Sequence, residues 1–325
     1  MTVIRFGESD AARCRFGISP LWETLSAVRV LHNHRHRPLY SPWVSAKAGL
    51  AKGLDLDPVR AVQPRVGHTP DFLTPPPRTP RTEFAGELAR VRATPPGRVA
   101  AELARTRDQP ANPRAAEVDR MLADPAAARD RLADAVEAAW EALLEPDWPK
   151  IRRVLEDDIA HRGQRLTEGG FGALFDDLHP TLRWEGTQLV ASKYRDHDRD
   201  LGGAGLLLVP GVFAWPYLVA VVAPAYQPAV LYPARGAARL WTTAPPPPDR
   251  LARLLGRSRA AVLAALDPPS STTELAGRYG LAPATVAEHL GALRDAGLAD
   301  KRRHGHEVRY RRTELGQALV DAAVG

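Results

Sequence analysis

The stretch VLHNHRHRPLY places His32, His34 and His36 at every second position, with Arg35 and Arg37 beside them. On an extended strand that spacing turns three imidazoles to one side, a geometry suited to zinc or nickel. On a helix only His32 and His36 share a face. Arg35 and Arg37 oppose a divalent cation and no acidic residue nearby completes a ligand set. The expectation is therefore no metal and a partly exposed polar stretch, with a histidine-based metal sensor kept as an alternative. The single cysteine, Cys14, excludes thiolate-pair metal sites and an intramolecular disulfide.

Other groupings that might do chemistry have simpler readings. EDDIAH brings Asp157, Asp158 and His161 together, and the charged face of an amphipathic helix accounts for them. KYRDHDRDLGGAG clusters acids around His197 and is expected to be a surface loop. Gly202, Gly203 and Gly205 lack the dinucleotide-binding spacing, and the chain has neither a phosphate-loop lysine motif nor a nucleophile elbow. The protein is expected not to be an enzyme and to need no cofactor. The competing reading is an enzyme or small-molecule-binding protein whose C-terminal module mediates partner contacts.

The clearest chemistry is cationic. The formal charge is +6, and positions 301–312 concentrate Lys301, Arg302, Arg303, Arg309, Arg311 and Arg312 against one acid, Glu307. Such a segment suits phosphates, to which lysine and arginine bind with an affinity that falls steeply with salt.

The elements around it place that charge. In STTELAGRYG, Thr272 or Thr273 is a candidate N-cap for a helix burying Leu275, Ala276 and Tyr279, and Gly280 suits its end. In LAPATVAEHLGALRDAGL, Pro283 fits a first helical turn, and Val286, Leu290 and Leu293 recur at i, i+4 and i+7. That spacing predicts a helix over 283–296 with Thr285, Glu288 and His289 turned outward, and Gly297 ends it. KRRHGHEVRYRRT then predicts two strands around Gly305, a hairpin or wing. A helix pair followed by a basic wing is a DNA-binding winged helix, its second helix in the major groove and its wing on the phosphates.

Proline marks the joints: LTPPPRTP at 73–80 and TTAPPPPDR at 242–250 favour extended backbone. The second is the expected boundary between an N-terminal α+β domain (1–244, with a possible sub-boundary near 73–80) and a C-terminal domain (245–325). In the N-terminal part, PAAARDRLADAVEAAWEALL and PKIRRVLEDDIAHRGQRLT carry apolar residues at helical spacing. LRWEGTQLVASKY predicts a β-hairpin turning at Gly186, and GLLLVP, LVAVVA and AVLYP predict short, buried strands. The longest apolar run is broken by Pro210, Gly211 and Pro216, so no membrane span is expected, and the charged N-terminus lacks the apolar core of a secretory leader. Cytoplasmic residence is the corresponding expectation.

Residues 250–320 resemble the DNA-binding domain of ArsR-type bacterial regulators: a first helix RSRAAVLAAL, the pair TELAGRYGLAPATVAEHLGALRDAGL, the wing KRRHGHEVRYRRT and a last helix ELGQALVDAAV. The remainder, with FGISPLWETLSAVRVL and PDFLTPPP, resembles longer regulators in which a domain of unknown function precedes that module. The resemblance implies a transcriptional repressor that binds double-stranded DNA, with an unknown small-molecule effector as a further possible partner, and two-fold DNA half-sites call for paired recognition helices and hence a homodimer. It points to Thr273, Ala284, Thr285, Glu288, His289 and Arg294 on the helix pair as DNA-contacting residues. On the wing it points to Lys301, Arg302, Arg303, His306, Arg309 and Arg311. Apolar positions of the first and last helices, Leu251, Leu254, Leu255, Leu315, Leu319 and Val320, are expected to supply the pairing surface. Two residues depart from the pattern. Ala282 stands where such modules place a capping Ser or Thr, and Glu288 puts a carboxylate in the groove that can only accept, as from a cytosine amino group.

Overall fold

The structure, a computed structural model, describes residues 1–33, 38–64, 69–109, 113–192, 197–241, 247–279, 281, 283–304 and 307–324. His34, Arg35, His36, Arg37, Gly280, Ala282, Gly305, His306 and most of the 242–250 proline run lie outside the described residues, as does the side chain of Arg303. The chain forms two compact units, one of residues 1–37 and 43–237, the other of residues 38–42 and 238–325. Both sides of the 73–80 proline run belong to the first unit, and Phe72 and Leu73 are buried in it.

The first unit is α+β. Strands β1 (Thr2–Arg5) and β2 (Arg15–Phe16) precede helix α1 (Pro20–Asn33), followed by α2 (Ser41–Lys52), α3 (Asp57–Val62), α4 (Phe84–Arg92), α5 (Pro96–Arg107), α6 (Ala115–Ala123), α7 (Pro125–Ala139) and α8 (Trp148–Gly169). Six strands follow: β3 (Leu182–Trp184), β4 (Gln188–Ala191), β5 (His197–Asp200), β6 (Leu207–Gly211), β7 (Val219–Val221) and β8 (Ala229–Pro233). Asp124 caps α7 by accepting from the Ala127 N–H, and Leu132, Ala133, Val136 and Ala139 bury one stripe of it against α1 and α3 to α6.

Two four-stranded sheets complete the unit, ordered β3-β4-β1-β5 and β2-β6-β8-β7. In β6 and β8, Leu208, Val230 and Tyr232 face a core shared with Ile4, Leu189 and Phe175, whereas Leu207, Val209 and Leu231 face Trp22 of α1. Burial on both faces explains why these parallel strands read as unbroken apolar runs. Two expectations are corrected here. β7, from LVAVVA, is an edge strand with Val219 exposed and Val221 buried, because at the margin of the sheet the packing covers only part of the strand. His197–Asp200, expected as loop, is strand β5, which pairs parallel with β1 and is anchored by the Arg5–Asp198 ion pair at 2.7 Å. No helix among the described residues is long and apolar enough to cross a membrane.

The second unit contains α9 (Asp249–Leu255), α10 (Arg257–Ala264), β9 (Ser270–Ser271), α11 (Thr272–Tyr279), α12 (Pro283–Asp295), β10 (Ala299–His304), β11 (Glu307–Arg312) and α13 (Glu314–Val324). The expected first helix is thus preceded by another, separated from it by Gly256 at φ 79°. Val262, Leu263, Leu275, Val286, Leu290 and Leu293 form its core. Strands order β10-β11-β9, so the wing has a third, short strand at its root. Nothing in the sequence indicated that residues 38–42 belong to this unit; the short 3-10 helix Pro38–Tyr40 packs on α11, with Leu39 and Tyr40 buried.

Candidate nucleic-acid interface

The first helix of the pair is capped by Ser271, one residue before Thr272 and two before Thr273, the threonines expected to cap it. Ser271 Oγ accepts from the Glu274 N–H at 3.2 Å, and a Glu274 carboxylate oxygen accepts from the Ser271 N–H at 2.7 Å. This reciprocal arrangement is a capping box, with the signature S-x-x-E visible at 271–274. Thr272 is consequently the first helical residue, and Thr273 lies exposed in the first turn.

Val286, Leu290 and Leu293 anchor α12, as their spacing predicts. The exposed side presents Ala284, Ala287, Glu288, Arg294 and Asp295. Thr285 and His289 are half-buried on the flank, so only Glu288 of the three expected outward residues is fully exposed. Small side chains on the exposed face let the helix backbone approach base edges closely, and an alanine methyl suits the thymine methyl. Burial, followed by the positive charge of Arg259 on α10, lowers the His289 pKa, partly offset by Glu288. Arg259 was absent from the sequence-derived set: its sequence position gives no sign that α10 brings it near α12.

The wing divides its cations. Lys301 and Arg302 on β10 are exposed, and neither makes an ion pair among the described residues. The β11 arginines are engaged. Arg309 donates to Glu274 at 3.2 Å and to the Pro269 carbonyl at 3.2 Å. Arg311 pairs with Asp300 across the wing at 3.3 Å, and Arg312 pairs with Asp267 at 2.9 Å. Thr313 closes the wing's return by donating its hydroxyl to the Gly297 carbonyl at 2.6 Å.

The other sequence groupings are accounted for by the first unit's interior. Asp158, expected on a charged face, is buried and accepts from the Tyr232 hydroxyl at 2.7 Å and the Arg235 N–H at 2.9 Å, while Asp157 alone is exposed. The i, i+4 partner Arg162 is fully buried, pairs with Asp177 and lies over the Tyr232 ring. His32 has a pKa lowered to about 4, chiefly by burial, then by Arg60 and Arg114, and its Nε2 is buried without a hydrogen-bond partner. No group of three or more possible metal ligands occurs among the described residues.

Residues 97–238 match the model of a family of unknown function (DUF5937), and residues 254–302 match the model of a helix-turn-helix domain. No curated protein and no solved structure matches the chain. The geometry of α10 to β10 and the matched segment coincide: the second unit carries a helix-turn-helix domain, the DNA-binding part of a transcription regulator.

Proposed function

We propose that the protein is a sequence-specific transcriptional repressor of the ArsR type, acting in the cytoplasm as a homodimer on double-stranded DNA and catalysing no reaction. The observation that carries this reading is the exposed α12 face beside a wing strand whose Lys301 and Arg302 are exposed and make no ion pair among the described residues. Helix α12 enters the major groove, with Ala284, Glu288 and Arg294 toward the bases and backbone, while Lys301 and Arg302 neutralise flanking phosphates. Repression is steric, by occupation of the operator. The first unit senses a small molecule that prefers one of two DNA-binding states, since only differential affinity shifts such an equilibrium.

Pairing of two modules uses α9 and α13, which pack together. Leu251 and Val320, expected at the pairing surface, are buried in the module's own core. Leu255 and Leu319 are partly packed against that core, so Leu254 at 66% exposure and Leu315 at 60% are left as the apolar contacts available to a partner. Leu254→Asp with Leu315→Asp should convert a dimer to a monomer in sedimentation and abolish tight operator binding.

The deciding experiment selects genomic fragments bound by the full-length protein and measures their affinity across salt concentrations. A specific site whose affinity falls steeply with salt supports the reading; no binding, or salt-independent binding, favours the partner-contact alternative.

A further inference from the structure

We propose that Arg309 is a positioning residue, which with Glu274 fixes the wing against the N-terminus of α11, and that among the described wing cations phosphate contact falls to Lys301 and Arg302. This rests on the DNA-binding reading above and assigns different duties to cations that look equivalent in sequence.

The β11–β9 register sets Arg309 opposite Ser271, the capping residue of α11. Glu274 uses one carboxylate oxygen for the Ser271 N–H and the other for the Arg309 guanidinium, at 2.7 and 3.2 Å. A second guanidinium nitrogen donates to the Pro269 carbonyl in the segment leading into β9. One arginine thus ties together the wing's second strand, the turn before β9 and the first turn of α11. A phosphate recruiting Arg309 would have to displace both a carboxylate and a carbonyl.

The neighbouring charges follow the same division. Arg302 is the cross-strand partner of Arg309 and therefore shares its face of the wing. Two adjacent unpaired guanidinium groups would repel; Glu274 neutralises one and leaves the other exposed. Arg311 with Asp300 and Arg312 with Asp267 are likewise internally compensated. Because Arg309 and Glu274 are 38% and 49% exposed, the pair contributes modestly to stability, and its main consequence is the direction in which the wing points.

The test uses the full-length protein and a selected operator duplex, with affinity measured from low to moderate salt. Arg302→Ala and Lys301→Ala are expected to reduce the magnitude of the slope of log K against log salt by about 0.9 each, one phosphate contact apiece. Arg309→Ala is expected to leave the slope unchanged while weakening binding several-fold at every salt concentration. Glu274→Gln, which keeps an acceptor for the Ser271 N–H, should weaken binding equally, and the double variant no further. A slope reduced by about 0.9 in Arg309→Ala, as in Arg302→Ala, would overturn the assignment. Amide exchange provides an arm independent of DNA: Arg309→Ala and Glu274→Gln should both speed exchange at the β9–β11 ladder at least tenfold, and unchanged exchange in both overturns the positioning role. Failure of the unaltered protein to bind DNA, together with accelerated β9–β11 exchange in both variants, would sink the repressor reading and the division of phosphate contacts, but not the clamp.

Discussion

The two units use charge in opposite ways. In the first, Glu23, Glu87, Glu102, Asp158 and Arg162 are buried, and the carboxylates accept from backbone N–H and side-chain O–H groups. In the second, Ser270 is the one buried polar residue among the described residues, and the described charged residues are exposed or half-buried, the Arg312 side chain being the most covered of the wing's paired arginines at 9% exposure. Burying an ionisable group is costly unless hydrogen bonds compensate it, so interior carboxylates hold the backbone in place. Surface cations keep their charge available to a polyanion. The contrast separates a unit that buries hydrogen-bonded carboxylates from a module that keeps its described charges at or near its surface.

The strongest way to break this comparison is Glu23→Ala. Glu23 accepts from the Val212 and Phe213 N–H groups where the chain leaves β6. Two buried donors would lose this acceptor, a cost of about 2–6 kcal/mol at roughly 1–3 kcal/mol each. Denaturant unfolding should show that loss; a change below about 1 kcal/mol would remove the structural role.

A pH titration of stability sharpens the same point. Burial raises Glu23 and Glu87 from an ordinary 4.5 to about 7, despite the N–H groups that donate to them. The neutral acid is thus favoured in the folded state, so their contribution is fully present below about pH 4.5 and is lost as pH rises to about 7. The loss is on the order of 3 kcal/mol for each residue. The Glu23→Gln, Glu87→Gln double variant should flatten that slope in denaturant midpoints measured between pH 4.5 and 8, and an unchanged slope would contradict the assignment.

Smaller effects belong to the second unit. A methyl at Gly316 would run into the Leu298 carbonyl oxygen where α13 crosses the start of β10. Gly316→Ala should cost about 1–3 kcal/mol, the usual scale of overpacking, and should lower the thermal midpoint. The mildest is Glu288→Gln: removing a carboxylate from the exposed α12 face should raise affinity for nonspecific DNA a few-fold and narrow the gap to the operator. Unaltered discrimination would show that Glu288 reads no base.

Local pattern made much of the second unit legible. The 3.6-residue recurrence of Val286, Leu290 and Leu293 predicts α12, the basic runs flanking Gly305 mark the wing, and the alternation around Gly186 in the first unit predicts the β3–β4 hairpin. The Ser271–Glu274 signature was also present, but neighbouring threonines are equally good caps by type, and only the backbone shows which residue accepts. Asp158 was misleading because a helix carrying several charges resembles a solvated face until Tyr232 and Arg235 pack over one of them from 74 and 77 residues away.

By itself the sequence determined the periodicities, and with them the helix pair, the wing and the region in which cations accumulate, since these depend on neighbours within a few residues. Tertiary structure alone decided which of those cations are free. The pairings of Arg309 with Glu274 and of Arg312 with Asp267 span 35 and 45 positions and form only when strands and helices have packed, which is where local spacing stops carrying information.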